Sequence, residues 1–168
     1  MSAPLLSNKE LAAPALVGLL ADLMLERGSM LATAESCTGG MIAAACTDLA
    51  GSSAWFERGF VTYSNEAKTE LLAVDAELIT AHGAVSEEVA REMAEGAIRH
   101  SRAQAAVAVT GVAGPGGGSA AKPVGTVWFA WSVSGQVSSE CRRFEGDRAQ
   151  VRDATVRHAL QRLLQLLN

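Results

Sequence analysis

Residues 30–40 read Met-Leu-Ala-Thr-Ala-Glu-Ser-Cys-Thr-Gly-Gly, and an alanine-rich run follows to Leu49. Met30 to Ala34 is short and apolar, which suits a buried strand, and the alanine-rich run suits a helix. A strand therefore feeds a helix through Glu35, Ser36 and Cys37, the elementary unit of an α/β fold. Gly39 and Gly40 let the backbone approach a ligand closely, and free amides at such a junction can stabilise an oxyanion.

Toward the N-terminus, Ser7-Asn8-Lys9-Glu10 has the form of a capping box. Leu16, Leu20, Leu23 and Met24 then keep helical spacing until Gly28, with Pro14 marking a late start or a kink. In the other direction, Gly51-Ser52-Ser53 is turn-like and Phe56 to Ser64 reads as a strand. Asn65 is expected to cap a short helix that carries Lys68 near its first turn. Ala76 to His82 is a further helical stretch, and Ser86 caps a stronger one whose Val89, Met93, Ala97 and Ile98 share a face.

Ala105 to Thr110 is a buried strand by composition, ending abruptly at Gly111-Val112-Ala113-Gly114-Pro115-Gly116-Gly117-Gly118. Gly125 to Val133 and Val137 to Phe144, separated by residues 134–136, predict a hairpin. The last helix starts near Asp147 and lines up Val156, Leu160, Leu163, Leu164 and Leu167. Helices interleaved with strands, plus one late hairpin, predict an α/β fold. The form expected is a three-layer α/β/α sandwich with a mixed, mostly parallel sheet, one domain over residues 1–168.

Composition narrows the function. Hydrophobic residues make up 49% of the 168, but acidic residues or arginine interrupt every apolar stretch well before the roughly 20 residues that a membrane span requires. The N-terminus lacks the features of a secretory signal, so a cytoplasmic protein is expected. Three cysteines with no CxxC pair fit neither a disulfide framework nor a zinc site, and no metal or cofactor is expected. A net charge of −4 gives no bulk attraction to nucleic acid, although a local basic pocket can hold a small anion.

The strand–helix junction offers two nucleophiles, Ser36 and Cys37, between which residue chemistry alone does not choose. None of the three histidines sits where a base is needed, and each is expected on the surface. The candidate base is then a lysine of lowered pKa, from Lys9, Lys68 and Lys122. Lys68 is best placed, because Tyr63 lies five residues before it and both can reach a pocket at the end of the preceding strand. Thr110 to Lys122 has the composition of an anion-binding loop without a Walker A or Rossmann pattern. Arg148 can add a phosphate contact, or pair with Asp147.

Four blocks together resemble the CinA C-terminal-domain family: AESCTGG at 34–40, GFVTYSNEAK at 59–68, VTGVAGPGGGSAAKPVGTV at 109–127 and FEGDRAQVR at 144–152. The resemblance runs from about Leu31 to Leu166 and implies hydrolysis of the amide of nicotinamide mononucleotide. It implies Ser36 as nucleophile, Lys68 as the group that takes its proton, and Tyr63 as a positioning residue. Thr38, Gly39, Gly40, Thr110, Gly111, Gly114, Gly116 and Gly117, with Arg148, would hold phosphate and ribose. Ala120 and Ala121 depart from the polar or acidic residues common at those loop positions. The chain resembles the stand-alone form, since longer members carry a preceding molybdopterin-binding-like domain. The expected partner is a small pyridine nucleotide rather than nucleic acid or a membrane. A homodimer is also expected, for which the stripe on the last helix is a candidate interface. The competing reading is a non-catalytic nucleotide-binding module.

Overall fold

The computed structural model describes residues 11–168, so the capping box expected at Ser7 to Glu10 lies outside the described residues. Strands β1 (Leu31–Glu35), β2 (Phe56–Val61), β3 (Ala105–Gly111), β4 (Thr126–Val133) and β5 (Gln136–Arg143) form one sheet in the order β2-β1-β3-β4-β5. β1 runs parallel to β2 and β3, while β4 is antiparallel to both β3 and β5. β4 alone therefore runs against the other four, and the sheet is mixed and mostly parallel.

Helices cover both faces. α1 (Ala13–Glu26), α2 (Met41–Thr47) and α6 (Arg148–Leu167) bury Leu20, Met24, Ile42, Leu160 and Leu163 against Val107, Val127, Phe129 and Trp131 of the sheet. On the other face lie α3 (Asn65–Leu72), α4 (Ala76–His82) and α5 (Glu87–Arg99). The division follows from strand periodicity. In β3, Ala105, Val107 and Val109 face the first core while Ala106 and Ala108 face the second. The second face is almost all alanine: Ala32, Ala34, Ala106, Ala108 and Ala130 meet Ala90, Ala94 and Ala97 of α5. Small residues on both sides draw that helix close to the sheet.

Local details refine the sequence expectations. Pro14 stands in the first turn of α1, where its fixed φ suits a helix start and its missing N–H costs nothing, so it marks the late start and not a kink. Ser64, not Asn65, caps α3, its Oγ accepting from the Ala67 amide at 3.0 Å. β2 ends at Val61, so Tyr63 stands in the loop beyond it. The hairpin turn is the pair Ser134-Gly135, at φ 51° and 77°, the left-handed conformations that a two-residue turn between twisted strands requires. Asp147 and Gln150 form a reciprocal capping box at the start of α6. The stripe Val156, Leu160, Leu163, Leu164 and Leu167 is buried in the core of a single chain, so it does not supply an interface.

Candidate active site

The three parallel strands end together. Beyond β1 the Ser36 amide donates to the Val109 carbonyl at 3.0 Å, and the Thr62 amide donates to the Glu35 carbonyl at 2.9 Å. The sheet thus fixes Ser36 between the ends of its neighbours, and α3 returns from β2 to bring Lys68 over it. Lys68 Nζ lies 3.0 Å from Ser36 Oγ, 2.9 Å from the Thr62 carbonyl oxygen and 3.4 Å from that of Tyr63. Lys68 is 1% exposed and has no carboxylate partner among the described residues. Burial holds its ammonium below the ordinary lysine range. As an ammonium Nζ has one N–H for each of these three oxygens, and loss of one proton would leave a lone pair facing the Ser36 hydroxyl.

The same geometry separates the two nucleophiles. Ser36 and Cys37 are similarly buried and both line one cleft, but the Cys37 thiol is pushed up to about 11, chiefly by burial, and the lysine's hydrogen bond goes to Ser36.

A cleft of about 230 Å³ opens over this pair, lined by Ser36, Lys68, Tyr63, Asn65, Thr110 and Arg148, with Gly111 at its wall. Arg148 does not pair with Asp147, which is occupied as the cap of α6. Its two terminal nitrogens donate to the Gly114 carbonyl at 2.9 Å and to the Tyr63 hydroxyl at 3.1 Å. Thr110 donates to the Ala84 carbonyl at 2.8 Å, and Lys122 fastens the glycine-rich loop to the end of α4 through the His82 carbonyl at 2.7 Å.

Other sequence candidates lie elsewhere. Thr38, Gly39 and Gly40 are not among the residues lining the cleft. Thr38 turns its hydroxyl to Glu35, and the two glycines, at φ 58° and 103°, wind the chain into α2. Gly116 and Gly117 are exposed on the loop. His158 is not the surface residue expected. It is half-buried with its ring against Phe129, Phe144 and Trp131 and its Nε2 3.1 Å from a Glu140 carboxylate oxygen, because α6 lays that face over the hairpin.

Two residues at the site escape the sequence reading. Glu35 is fully buried, and its carboxylate accepts from the Thr38 hydroxyl at 2.7 Å and from the Ile42 and Ala43 amides at 2.8 and 3.0 Å. It satisfies the first turn of α2, which Gly40 at the cap position cannot do. Arg152, one turn beyond Arg148, donates to the carbonyls of Cys37 and Thr38. The only signals were a carboxylate at the end of an apolar strand and an arginine four residues after another.

A serine held against a buried, uncompensated lysine at the carboxyl ends of parallel strands has the parts of a Ser–Lys acyl-transfer enzyme built on an α/β/α sandwich. The chain belongs to the CinA C-terminal domain family, which it matches over residues 14–167. The nicotinamide-nucleotide amidohydrolase PncC of Escherichia coli strain K12 is 56% identical over 142 residues, covering 83% of this chain and 85% of that protein. Its Pseudomonas putida counterpart is 59% identical over 138 residues, covering 82% and 86%. The crystal structure of the competence/damage inducible protein CihA from Agrobacterium tumefaciens superposes with a TM-score of 0.90 at 47% identity, covering 98% of this chain and 100% of that one. No helix among the described residues is long and apolar enough to cross a membrane.

Proposed function

We propose that this chain is an amidohydrolase acting on a nicotinamide nucleotide, converting nicotinamide mononucleotide and water to nicotinate mononucleotide and ammonia. The observation that carries the chemistry is the 3.0 Å approach of Lys68 Nζ to Ser36 Oγ. The names of relatives at 56% and 59% identity support the substrate.

Ser36 Oγ attacks the carboxamide carbon as its proton passes to the neutral Lys68 amine. Backbone amides of the adjoining turn hold the oxyanion. The C–N bond breaks, Lys68 returns the proton to the leaving nitrogen, and ammonia departs. Water then attacks the acyl-enzyme, Lys68 takes its proton, and the second collapse frees the carboxylate and restores the Ser36 hydroxyl. Every proton moves through one amine, and water is the only co-substrate.

Arg148 is assigned to the phosphate and Thr110 and Gly111 to the ribose, with the backbone at Gly114, Gly116 and Gly117 closing over them. Tyr63 positions Arg148 through the 3.1 Å contact at the cleft mouth. The Thr38-Gly39-Gly40 turn acts from behind by holding the backbone of the nucleophile. A pure binding module has no use for a buried lysine without a counter-ion, since burying an unpaired cation is costly. Free cysteines suit a reducing compartment, so we place the protein in the cytoplasm.

The test is ammonia release from nicotinamide mononucleotide by wild type, Ser36→Ala and Cys37→Ala. Ser36→Ala should lose activity by on the order of 10³-fold or more, while Cys37→Ala keeps most of it. Loss confined to Cys37→Ala, or a folded wild type that releases no ammonia, overturns the reading.

A further inference from the structure

Every Phe and Trp of the chain is buried or half-buried, but Tyr63 is 60% exposed, and it lines the cleft. No other aromatic ring packs on it among the described residues. Its hydroxyl is engaged by Arg148, which leaves a large apolar ring open beside a site of polar and basic groups.

Tyr63 also bridges the two ends of that site. At one end its carbonyl oxygen stands 3.4 Å from Lys68 Nζ, which lies 3.0 Å from Ser36 Oγ. At the other its hydroxyl accepts from Arg148 Nη2 at 3.1 Å, while Arg148 Nη1 donates to the Gly114 carbonyl. The tyrosine ring therefore lies between the reacting pair and the arginine assigned to the phosphate. A nicotinamide nucleotide carries its parts in the same order: carboxamide, pyridine ring, ribose, phosphate. With the carboxamide carbon at Ser36 and the phosphate at Arg148, the pyridine ring falls alongside the ring of Tyr63.

Charge points to the same contact. In the oxidised nucleotide the pyridine ring is a cation, yet the cleft is lined by Lys68 and Arg148 and by no carboxylate. The buried Glu35 is spent on the Thr38 hydroxyl and the first amides of α2. A cationic ring that enters here meets no acidic side chain, and the electron-rich face of an aromatic ring is left to attract it.

We propose that the face of Tyr63 stacks on the pyridinium ring of the substrate, so that the cleft selects the oxidised, cationic nucleotide over its neutral dihydropyridine form. The inference rests on the nicotinamide-nucleotide reading of the cleft, and it gives Tyr63 a contact with the substrate itself beyond its bond to Arg148.

The test uses nicotinamide mononucleotide and its reduced form, which keeps the amide, ribose and phosphate but has no charge on the ring. Affinities for both are measured by calorimetry on Ser36→Ala, in which the substrate stays intact, alone and combined with Tyr63→Phe, Tyr63→Trp or Tyr63→Leu. Phenylalanine keeps the ring and loses the Arg148 contact, so the two forms should weaken together and the preference for the oxidised one should persist. Leucine removes the aromatic face, so the oxidised form should weaken by about a further 5- to 30-fold while the reduced form changes little. Tryptophan, the strongest aromatic partner for a cation, should hold the preference and add a charge-transfer absorption with the oxidised form alone. Equal affinity for the two forms when Tyr63 is present, or a Tyr63→Leu that weakens both equally, overturns the proposal and leaves the amidohydrolase reading in place. Failure of either form to bind overturns the stacking and the substrate reading together. If the preference depends on Tyr63 but the wild type releases no ammonia, the amidohydrolase reading fails and the stacking stands.

Discussion

Lys68 is the proposed base because of where it is buried, and its burial makes two measurable statements. Its pKa lies below the ordinary 10.5, with desolvation as the largest cause, so activity should rise with pH through a midpoint below that value. The folded state resists the proton that the unfolded chain binds up to about 10.5, so the unfolded state binds more protons between the two values, and stability rises with pH across that window. Lys68→Met removes the base and the buried cation together. Ammonia release should fall by on the order of 10²- to 10⁴-fold, while the melting temperature at neutral pH holds or rises and its climb at alkaline pH flattens. A melting temperature that drops sharply would mean that the ammonium's three contacts stabilise more than its burial costs. At this scale Ser36, Tyr63 and Lys68 could be picked out as candidates from residue type and order, but the choice between Ser36 and Cys37 could not be made, since both stand at the same junction. A 3.0 Å distance and a thiol pushed up to about 11 make it.

α3 depends on α5 for its place, and the contact is made by a missing side chain. A Cβ on Gly96 would drive into the Leu72 carbonyl oxygen and side chain at the end of α3. Gly96→Ala is therefore expected to destabilise by about 1–3 kcal/mol despite alanine's better helix propensity, read from the urea midpoint. Because Lys68 is carried on α3, kcat should fall as well. A variant as stable and active as wild type would show that the two helices can separate at no cost. Elements of this kind were legible in outline. The sequence pattern found the six α-helices and five strands of the described residues, while several ends slipped by one to three residues: Ser64 took the cap expected of Asn65, and β2 stopped at Val61. Capping depends on which oxygen reaches an amide in three dimensions, and a strand ends where its neighbour ends, so neither is written in local composition.

Across the whole molecule, the fold divides three thiols that the sequence leaves equivalent. Cys37 and Cys46 are buried, with burial pushing them up to about 11 and about 12, while Cys141 lies exposed on β5. Native protein treated with a thiol reagent near pH 8 should show one fast cysteine, with the other two appearing on denaturation, and Cys141→Ser should abolish the fast phase. Fast reaction of Cys37 would mean that the turn behind Ser36 opens readily. The sequence by itself determined the order of elements, the three-layer architecture, the family and the candidate reactive residues, because hydrophobic period, glycine placement and four ordered blocks are properties of the chain. Only the tertiary structure decided that Arg148 bridges Tyr63 and Gly114, that the stripe on α6 is used up in the core, and that Glu35 and Arg152 hold the Ser36 turn from two sides. Those contacts join residues as many as 115 positions apart, and no local pattern encodes which distant strand end or helix turn will meet.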